Sequence, residues 1–139
     1  MTRVGFYVHR SADEAERLRV AAKLAEKARQ HGHRVYIHTP DRALAQHMDE
    51  LLWSFKPSSF LPHGLHGSGD DQDIAIGFSQ EVNDHNDFLI NLALTPPPFI
   101  DRFTRIAEVV CQNPEQLVAL RQSWVFYRAR GYALEKHDI

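Results

Sequence analysis

The stretch Val4–His9 (VGFYVH), followed by an alanine-rich segment up to Gly32, decides the fold. Valine and aromatic residues favour a β-strand in the first part, whereas apolar residues recur at helical intervals in the second. Ser11 and Asp13 stand between the two parts, and both are good helix N-caps. Ser11–Glu14 also has the spacing of a capping box, and Gly32 is a typical helix end. The sequence therefore begins with a strand, a turn and a helix.

The same order follows once more and is then interrupted. Arg34–Thr39 (RVYIHT) is rich in β-branched and aromatic residues, and Pro40-Asp41 opens a second segment with a narrow apolar stripe at helical spacing. Residues 55–71 contain prolines, glycines, serines and histidines, which predicts a long irregular connection.

Strand-like runs return in the second half of the chain, at Ile74–Phe78 and Phe88–Leu94. Three consecutive prolines then forbid regular structure, and Ile100–Cys111 is consistent with a short helix or with a helix and a strand. Pro114–Arg130 predicts a final helix that ends at Gly131. Strands that alternate with helices predict an α/β fold: one Rossmann-like domain over residues 1–139, with a mostly parallel sheet covered by helices.

Length, charge and cysteine content exclude several classes of protein. A chain of 139 residues is the size of one domain. The lone Cys111 cannot form an internal disulfide and the N-terminus lacks a signal-peptide pattern, so a cytoplasmic location is expected. No apolar run approaches the length of a membrane span. The net charge of −2 does not favour direct, tight binding to nucleic acid.

The first strand-to-helix turn, His9–Asp13, contains no glycine and therefore lacks a nucleotide-binding loop. Gly67–Asp70 is the nearest imitation of a phosphate cradle, but no helix is predicted after it, which favours a flexible turn over an anion nest.

Metal and catalytic signatures are also weak. The pairs His31/His33 and His63/His66 stand in no metal-binding pattern, which favours surface histidines over ligands. The loop carboxylates are not accompanied by an organised nucleophile. Neither a catalytic residue, a metal site nor a cofactor is predicted.

Two constellations remain, of which the first lies on the last predicted helix. Arg121 and Arg128 project about 20° apart on a helical wheel, flanked by Leu117, Leu120, Trp124 and Val125. The arginine stems could simply lie across the edge of the core, or pair with acidic side chains elsewhere. Alternatively, guanidinium groups beside a tryptophan and a tyrosine suit a hydrophobic peptide that ends in a free carboxylate.

The second constellation is Leu52–His63, where aromatic residues lie at a helix end and in a proline-containing segment. Packing of a loop over the sheet would explain Trp53. The prolines, however, enforce an extended path that can present Phe55 and Phe60 outward as a protein-binding patch.

Over nearly its whole length, the sequence resembles the chi subunit family of bacterial DNA polymerase III. The resemblance rests on three motifs in order: Leu52-Trp53 with Ser59–His63; Leu89–Leu92 with a downstream Pro-x-Phe and Glu108–Val110; and Arg121-x-x-Trp124-x-x-Tyr127-Arg128-x-x-Gly131-Tyr132-x-Leu134. It implies a clamp-loader accessory subunit that catalyses nothing and acts in DNA replication within the bacterial replisome. It also implies that one surface binds the psi subunit, another binds the C-terminal tail of single-stranded DNA-binding protein, and a helicase shares the psi surface.

The resemblance implies two sets of site residues. The tail site comprises Arg121, Trp124, Tyr127, Arg128, Gly131 and Tyr132; the psi-facing patch comprises Trp53 and Phe60, with Phe55, Leu61 and Pro62 from the same segment. Better-known members carry a lysine where Leu117 stands and a tyrosine where Trp124 stands. These departures imply either a lower tail affinity or a larger share of it from Arg128.

A small α/β enzyme that handles a nucleotide or phosphate through loop carboxylates and histidines is the opposing hypothesis. Such an enzyme should have a deep pocket at the carboxyl ends of its strands, whereas an adaptor should have shallow grooves over the last helix and the aromatic segment.

Overall fold

A computed structural model describes residues 2–55, 63–65, 73–79 and 85–139. In chain order, the elements in this part of the chain are β1 (Arg3–Val8), α1 (Glu14–Gln30), β2 (Val35–His38), α2 (Arg42–Phe55), β3 (His63–Leu65), β4 (Ile74–Gly77), β5 (Phe88–Asn91), a 3-10 helix (Ile100–Arg102), β6 (Arg105–Val110), α3 (Pro114–Ala129) and β7 (Ala133–Asp138).

The seven described strands form one sheet in the order β3-β4-β2-β5-β6-β1-β7. Every pairing is parallel, so the predicted α/β fold with a mostly parallel sheet is confirmed. A parallel sheet is stable only when both of its faces are covered, because helical crossovers place apolar residues on both sides of each strand.

Two apolar clusters cover the two faces. On one face, α1 and α2 pack against β2, β4 and β5 through residues such as Leu18, Met48 and Ile90. On the other face, Tyr127 of α3 packs with Phe6 of β1 and with aromatic residues around the 3-10 helix. Neighbouring residues of one strand therefore lie in different clusters, as the alternation of side chains in a strand requires.

The helix ends follow the local sequence. Asp13, not Ser11, caps α1: its carboxylate accepts a hydrogen bond from the amide of Ala15 at 3.0 Å. The expectation of a capping box at Ser11–Glu14 is wrong because the hydroxyl of Ser11 instead accepts from the amide of Asp13, in the turn before the helix. Gly32 and Gly131 follow α1 and α3 with φ of +86° and +82°, as the predicted helix ends require.

Two strands differ from the sequence expectation. β3 lies within the segment predicted to be irregular, and β7 was not predicted at all. The sequence of β7 (ALEKHD) is largely charged because the strand is at the edge of the sheet, where it pairs only with β1. Charged residues are common on edge strands, so neither alternation nor β-propensity marks such a strand in the sequence.

None of the helices that the structure describes is both long and apolar enough to span a bilayer.

A buried polar network closes the sheet at the carboxyl ends of β5 and β6. Arg17 of α1 is 3% exposed and donates hydrogen bonds to the carbonyl oxygens of Val109, at 2.8 Å, and of Leu92. On the other face, the carboxyl group of Glu108 accepts from the hydroxyl of Tyr127 at 2.7 Å and from the side-chain amide of Asn91 at 3.0 Å. The network thus connects α1, the sheet and α3.

Burial controls the ionisation of Glu108. Desolvation raises the pKa of Glu108 to about 7, although the hydrogen bonds from Asn91 and Tyr127 and the charge of Arg17 act in the opposite direction. In the unfolded chain a glutamate titrates near pH 4.3. Between these two values, the folded protein holds a proton that the unfolded chain releases.

We expect this proton to make stability depend on pH. The bound proton contributes on the order of 3 kcal/mol to the free energy of unfolding. This contribution is fully present below about pH 4.5 and is lost as the pH rises through 7. Relative to Glu108→Gln, the wild-type free energy of unfolding should therefore fall between pH 4.5 and pH 7.5 in urea titrations. Glu50→Gln, at an exposed glutamate of α2, is the matched control and should follow wild type. Parallel curves for wild type and Glu108→Gln would contradict this role.

Candidate protein-docking site

One side of α3 presents an apolar and basic stripe to solvent. Val118, Arg121, Val125 and Arg128 are spaced by three and four residues, which places them within roughly 80° of each other around the helix. Val118 is 46% exposed and Val125 is 66% exposed. We refer to these four residues as the α3 stripe. Exposed valines that alternate with arginines along a helix form a surface with both apolar and cationic contacts.

The guanidinium groups of Arg121 and Arg128 are exposed, and neither forms an ion pair with any residue that the structure describes. Seven residues separate them, a distance of about 10 Å along the helix axis. Their charges are therefore accessible to a partner.

Trp124 lies beside the α3 stripe, on the side that turns towards the sheet. Its ring is partly exposed and packs on Phe6 of β1, with ring centroids 5.0 Å apart. The sheet therefore fixes the orientation of the tryptophan, and the ring forms a rigid border of the stripe.

The two predicted tyrosines occupy different environments. Tyr127 is fully buried and bound to Glu108, so its side chain offers no surface to a partner and instead packs against Phe6 at 6.0 Å between ring centroids. Tyr132 is partly exposed and donates its hydroxyl proton to Asp101. Burial and the charge of Asp101 raise the pKa of Tyr132 to about 12. Gly131 forms the turn that leads from α3 into β7.

The structure thus brings Arg121, Trp124 and Arg128 together at one surface, with Tyr127 beneath it and Tyr132 at the end of the helix. Val118 was missing from the sequence prediction, and Val125, which the prediction placed beside the arginines, was not included in the tail site. Their seven-residue spacing, which runs parallel to that of Arg121 and Arg128, is the signal that could have identified them. Leu117 and Leu120 are partly buried and turn towards the core.

The second predicted site lies only partly within the described residues. Trp53, near the C-terminal end of α2, is 51% exposed. Phe55 is the last residue of α2. Phe60, Leu61 and Pro62 lie outside the described residues. Because α2 and α3 cover opposite faces of the sheet, Trp53 and the α3 stripe lie on different sides of the protein.

At the carboxyl ends of β5 and β6, on the edge where α/β enzymes bind their ligands, the described side chains leave little space. Beside Glu108 there is a cavity of about 10 Å³, bordered by Leu120 and Ser123, which is room for one water molecule. At the N-terminus of α1, the carboxylate of Asp13 already accepts from a backbone amide and would repel a phosphate.

The histidines near α1 have separate local partners. His31 is hydrogen-bonded to the carbonyl of Lys27 at 2.8 Å, and His33 to the carboxylate of Asp87 at 2.9 Å. Among the described residues, no three metal-ligating side chains gather at one point.

Comparison with known proteins identifies the family. The sequence profile of the DNA polymerase III chi subunit matches residues 1–135. This chain belongs to the DNA polymerase III chi subunit family. It is 44% identical over its whole length to the DNA polymerase III subunit chi of Pseudomonas aeruginosa, of which it covers 98%. The Haemophilus influenzae and Escherichia coli subunits are each 28% identical, over 86% and 83% of this chain, covering 85% and 80% of those proteins.

Among solved structures, the second domain of the DEAD-box helicase Mss116p, bound to an RNA duplex, is similar in fold. The TM-score is 0.61 at 11% sequence identity, over 98% of this chain and 64% of that chain. At this identity the likeness concerns the fold alone. The chi-family chain is therefore a replication accessory subunit with a Rossmann-like α/β architecture.

We expect the purified protein to show no specific binding of ATP, GTP or NAD. The turn before α1 lacks glycine, the amide of Ala15 at the start of α1 donates to the carboxylate of Asp13, and the described side chains leave little space at the carboxyl ends of β5 and β6. Isothermal titration calorimetry with each nucleotide should give only heats of dilution. A stoichiometric site of micromolar affinity would favour the enzyme hypothesis instead.

Proposed function

We propose that this chain is a non-catalytic adaptor of the clamp-loader assembly that links the psi subunit to the C-terminal tail of single-stranded DNA-binding protein. The observation that carries the proposal is the α3 stripe, where exposed valines and unpaired arginines lie beside a tryptophan held by the sheet. The close packing at the carboxyl ends of β5 and β6 supports an adaptor rather than an enzyme.

The tail site consists of the α3 stripe together with Trp124 and Tyr132. A peptide that is acidic and hydrophobic and ends in a free carboxylate matches this surface, because the valines and Trp124 offer apolar contacts and the arginines offer charge-assisted hydrogen bonds. Tyr132 is already bound to Asp101, which leaves the arginines as the principal donors. Tyr127 and Gly131 act indirectly, by supporting Trp124 and by ending the helix.

Replacing either Arg121 or Arg128 by Ala should weaken binding of the tail peptide by about 10- to 100-fold, since each substitution removes a charge-assisted hydrogen bond. The measurement is fluorescence anisotropy of a labelled tail peptide. Arg10→Ala, at an exposed arginine before α1, is the matched control and should bind like wild type.

A peptide with an amidated C-terminus separates the carboxylate from the other acidic groups. The amidated peptide should bind wild type about 10- to 100-fold more weakly than the peptide with a free carboxylate. Its affinity should also change less when Arg121 or Arg128 is replaced. If amidation and both substitutions leave the affinity unchanged, the arginines are structural and the carboxylate site is wrong.

The psi subunit binds at the patch that begins with Trp53, which lies on the opposite side of the sheet from the α3 stripe. The patch also includes Phe55, Phe60, Leu61 and Pro62, the last three of which lie outside the described residues. Trp53 supports this assignment because a half-exposed tryptophan at the end of a helix is a typical interface anchor. A helicase that shares this surface would compete with psi, whereas the tail peptide would not.

Trp53→Asp should reduce psi binding by at least about 30-fold, because it removes an apolar anchor and buries an unpaired charge in the interface. Ala43→Asp introduces the same charge at an exposed position in the first turn of α2 and should leave psi binding intact. Co-purification and calorimetry with psi measure the effect, and circular dichroism verifies the fold. Equal psi binding by the two variants would place the interface elsewhere.

A further inference from the structure

A groove runs between α1 and the strands β1 and β7, on the face of the sheet opposite α3. It consists of two adjoining cavities of about 340 and 380 Å³ that share Tyr7, Leu24 and Lys27. The first extends past His137 of β7 towards Phe88, and the second extends past Val20 towards Ile139. We call it the α1–β7 groove. Along the sheet, α1 packs over β2, β5 and β6, and the groove lies beside it, towards β1 and β7.

The floor of the groove is apolar and rigid. Tyr7 packs against the core and stacks on His137, with ring centroids 4.7 Å apart and planes inclined by 15°. Val20 and Leu24 of α1 form the adjacent wall, and both are partly buried. A partner would therefore meet a preformed surface with little ordering cost.

The rim of the groove is basic in a protein of net charge −2. Arg19, Lys23 and Lys27 follow one another every four residues along α1, and Arg105 lies at the end near Phe88. Arg19 is paired with Glu16 at 2.9 Å, whereas Lys23 and Lys27 form no ion pair with any described residue. Two cations of the row are thus available to a ligand.

The acidic groups near the groove are already engaged. Asp87 binds His33 at 2.9 Å, and Glu135 binds Arg3 at 2.8 Å and lies 3.4 Å from His137. These carboxylates are engaged with other side chains, as Glu16 is with Arg19, and no described carboxylate forms an ion pair with Lys23 or Lys27.

The geometry favours a peptide over nucleic acid. Nucleobases require free aromatic faces, but Tyr7 is stacked on His137, and the ring of Phe88 has the guanidinium of Arg105 5.4 Å from its centroid. Cations four residues apart on a helix are about 6 Å apart, which matches the roughly 6.7 Å between alternate residues of an extended chain.

We propose that the α1–β7 groove is a second docking site, which binds an extended segment of a partner protein in which acidic and aliphatic residues alternate. The carboxylates face Lys23 and Lys27, and the aliphatic side chains fill the space over Tyr7 and Leu24. The site is independent of the α3 stripe and needs no terminal carboxylate.

The probe is a fluorescein-labelled peptide of three Asp-Leu repeats, acetylated and amidated so that it lacks both terminal charges. We expect Lys23→Glu to weaken its binding at low ionic strength by about tenfold, because the substitution replaces an attraction by a repulsion. Lys136→Glu is the matched control, because Lys136 is exposed on β7 but lies on the other face of the sheet from Tyr7 and the groove. It should change the affinity by less than twofold.

Amide chemical-shift mapping locates the peptide, and should show changes at Tyr7, Leu24 and His137. A peptide of three Asp-Ser repeats should bind at least tenfold more weakly, since it lacks the aliphatic contacts. Equal losses for Lys23→Glu and Lys136→Glu, shifts confined to α3, or tighter binding of oligo(dT) than of the peptide would each overturn the proposal. None of these outcomes bears on the carboxylate test at Arg121 and Arg128.

Discussion

The structure depends on the requirement that a parallel sheet be covered on both faces. Each central strand, such as β2 or β5, is buried throughout, and its side chains alternate between the two apolar clusters. The described part of the chain supplies only three α-helices for this purpose, two on one face and one on the other. α3 and the 3-10 helix must therefore cover their face with large aromatic side chains, of which Tyr127 and Phe103 are the most deeply buried. The surfaces proposed to bind partners are those that this limited cover leaves outside.

The carboxyl ends of β5 and β6 lie at the edge where folds of this class often bind nucleotides, and here they are joined by a buried polar network. Arg17 reaches from α1 across the ends of β5 and β6, and Glu108 and Asn91 join the edge to Tyr127 of α3. A ligand there would have to replace hydrogen bonds that are already made in a region of low dielectric. The same network holds α3 against the sheet, so the interactions that close the crevice also position the α3 stripe.

The proposed docking surfaces therefore lie on the outer sides of the helices, where substitutions do not disturb the core. Trp124 illustrates the connection, because one side of its ring packs on Phe6 while the residue borders the exposed arginines. Such an anchor lowers the entropic cost of binding, since its rotamer is set before a partner arrives. Because the two proposed surfaces lie on opposite faces of one sheet, the proposal predicts that two partners bind at the same time.

The sequence by itself determined the order of most elements, because these are set by local rules. Periodicity revealed α1 and α3, glycines marked their ends, and the missing glycine turn excluded a phosphate loop. It also identified Arg121, Trp124 and Arg128, since a helix fixes which residues share a side. Tertiary structure alone decided what depends on neighbours distant in sequence. The edge strand β7 forms because β1 offers it hydrogen-bond partners. Tyr127 is buried because its hydroxyl donates a hydrogen bond to the carboxyl group of Glu108, nineteen residues away in the sequence. The groove beside α1 likewise arises from where the helix crosses the sheet, which no local pattern encodes.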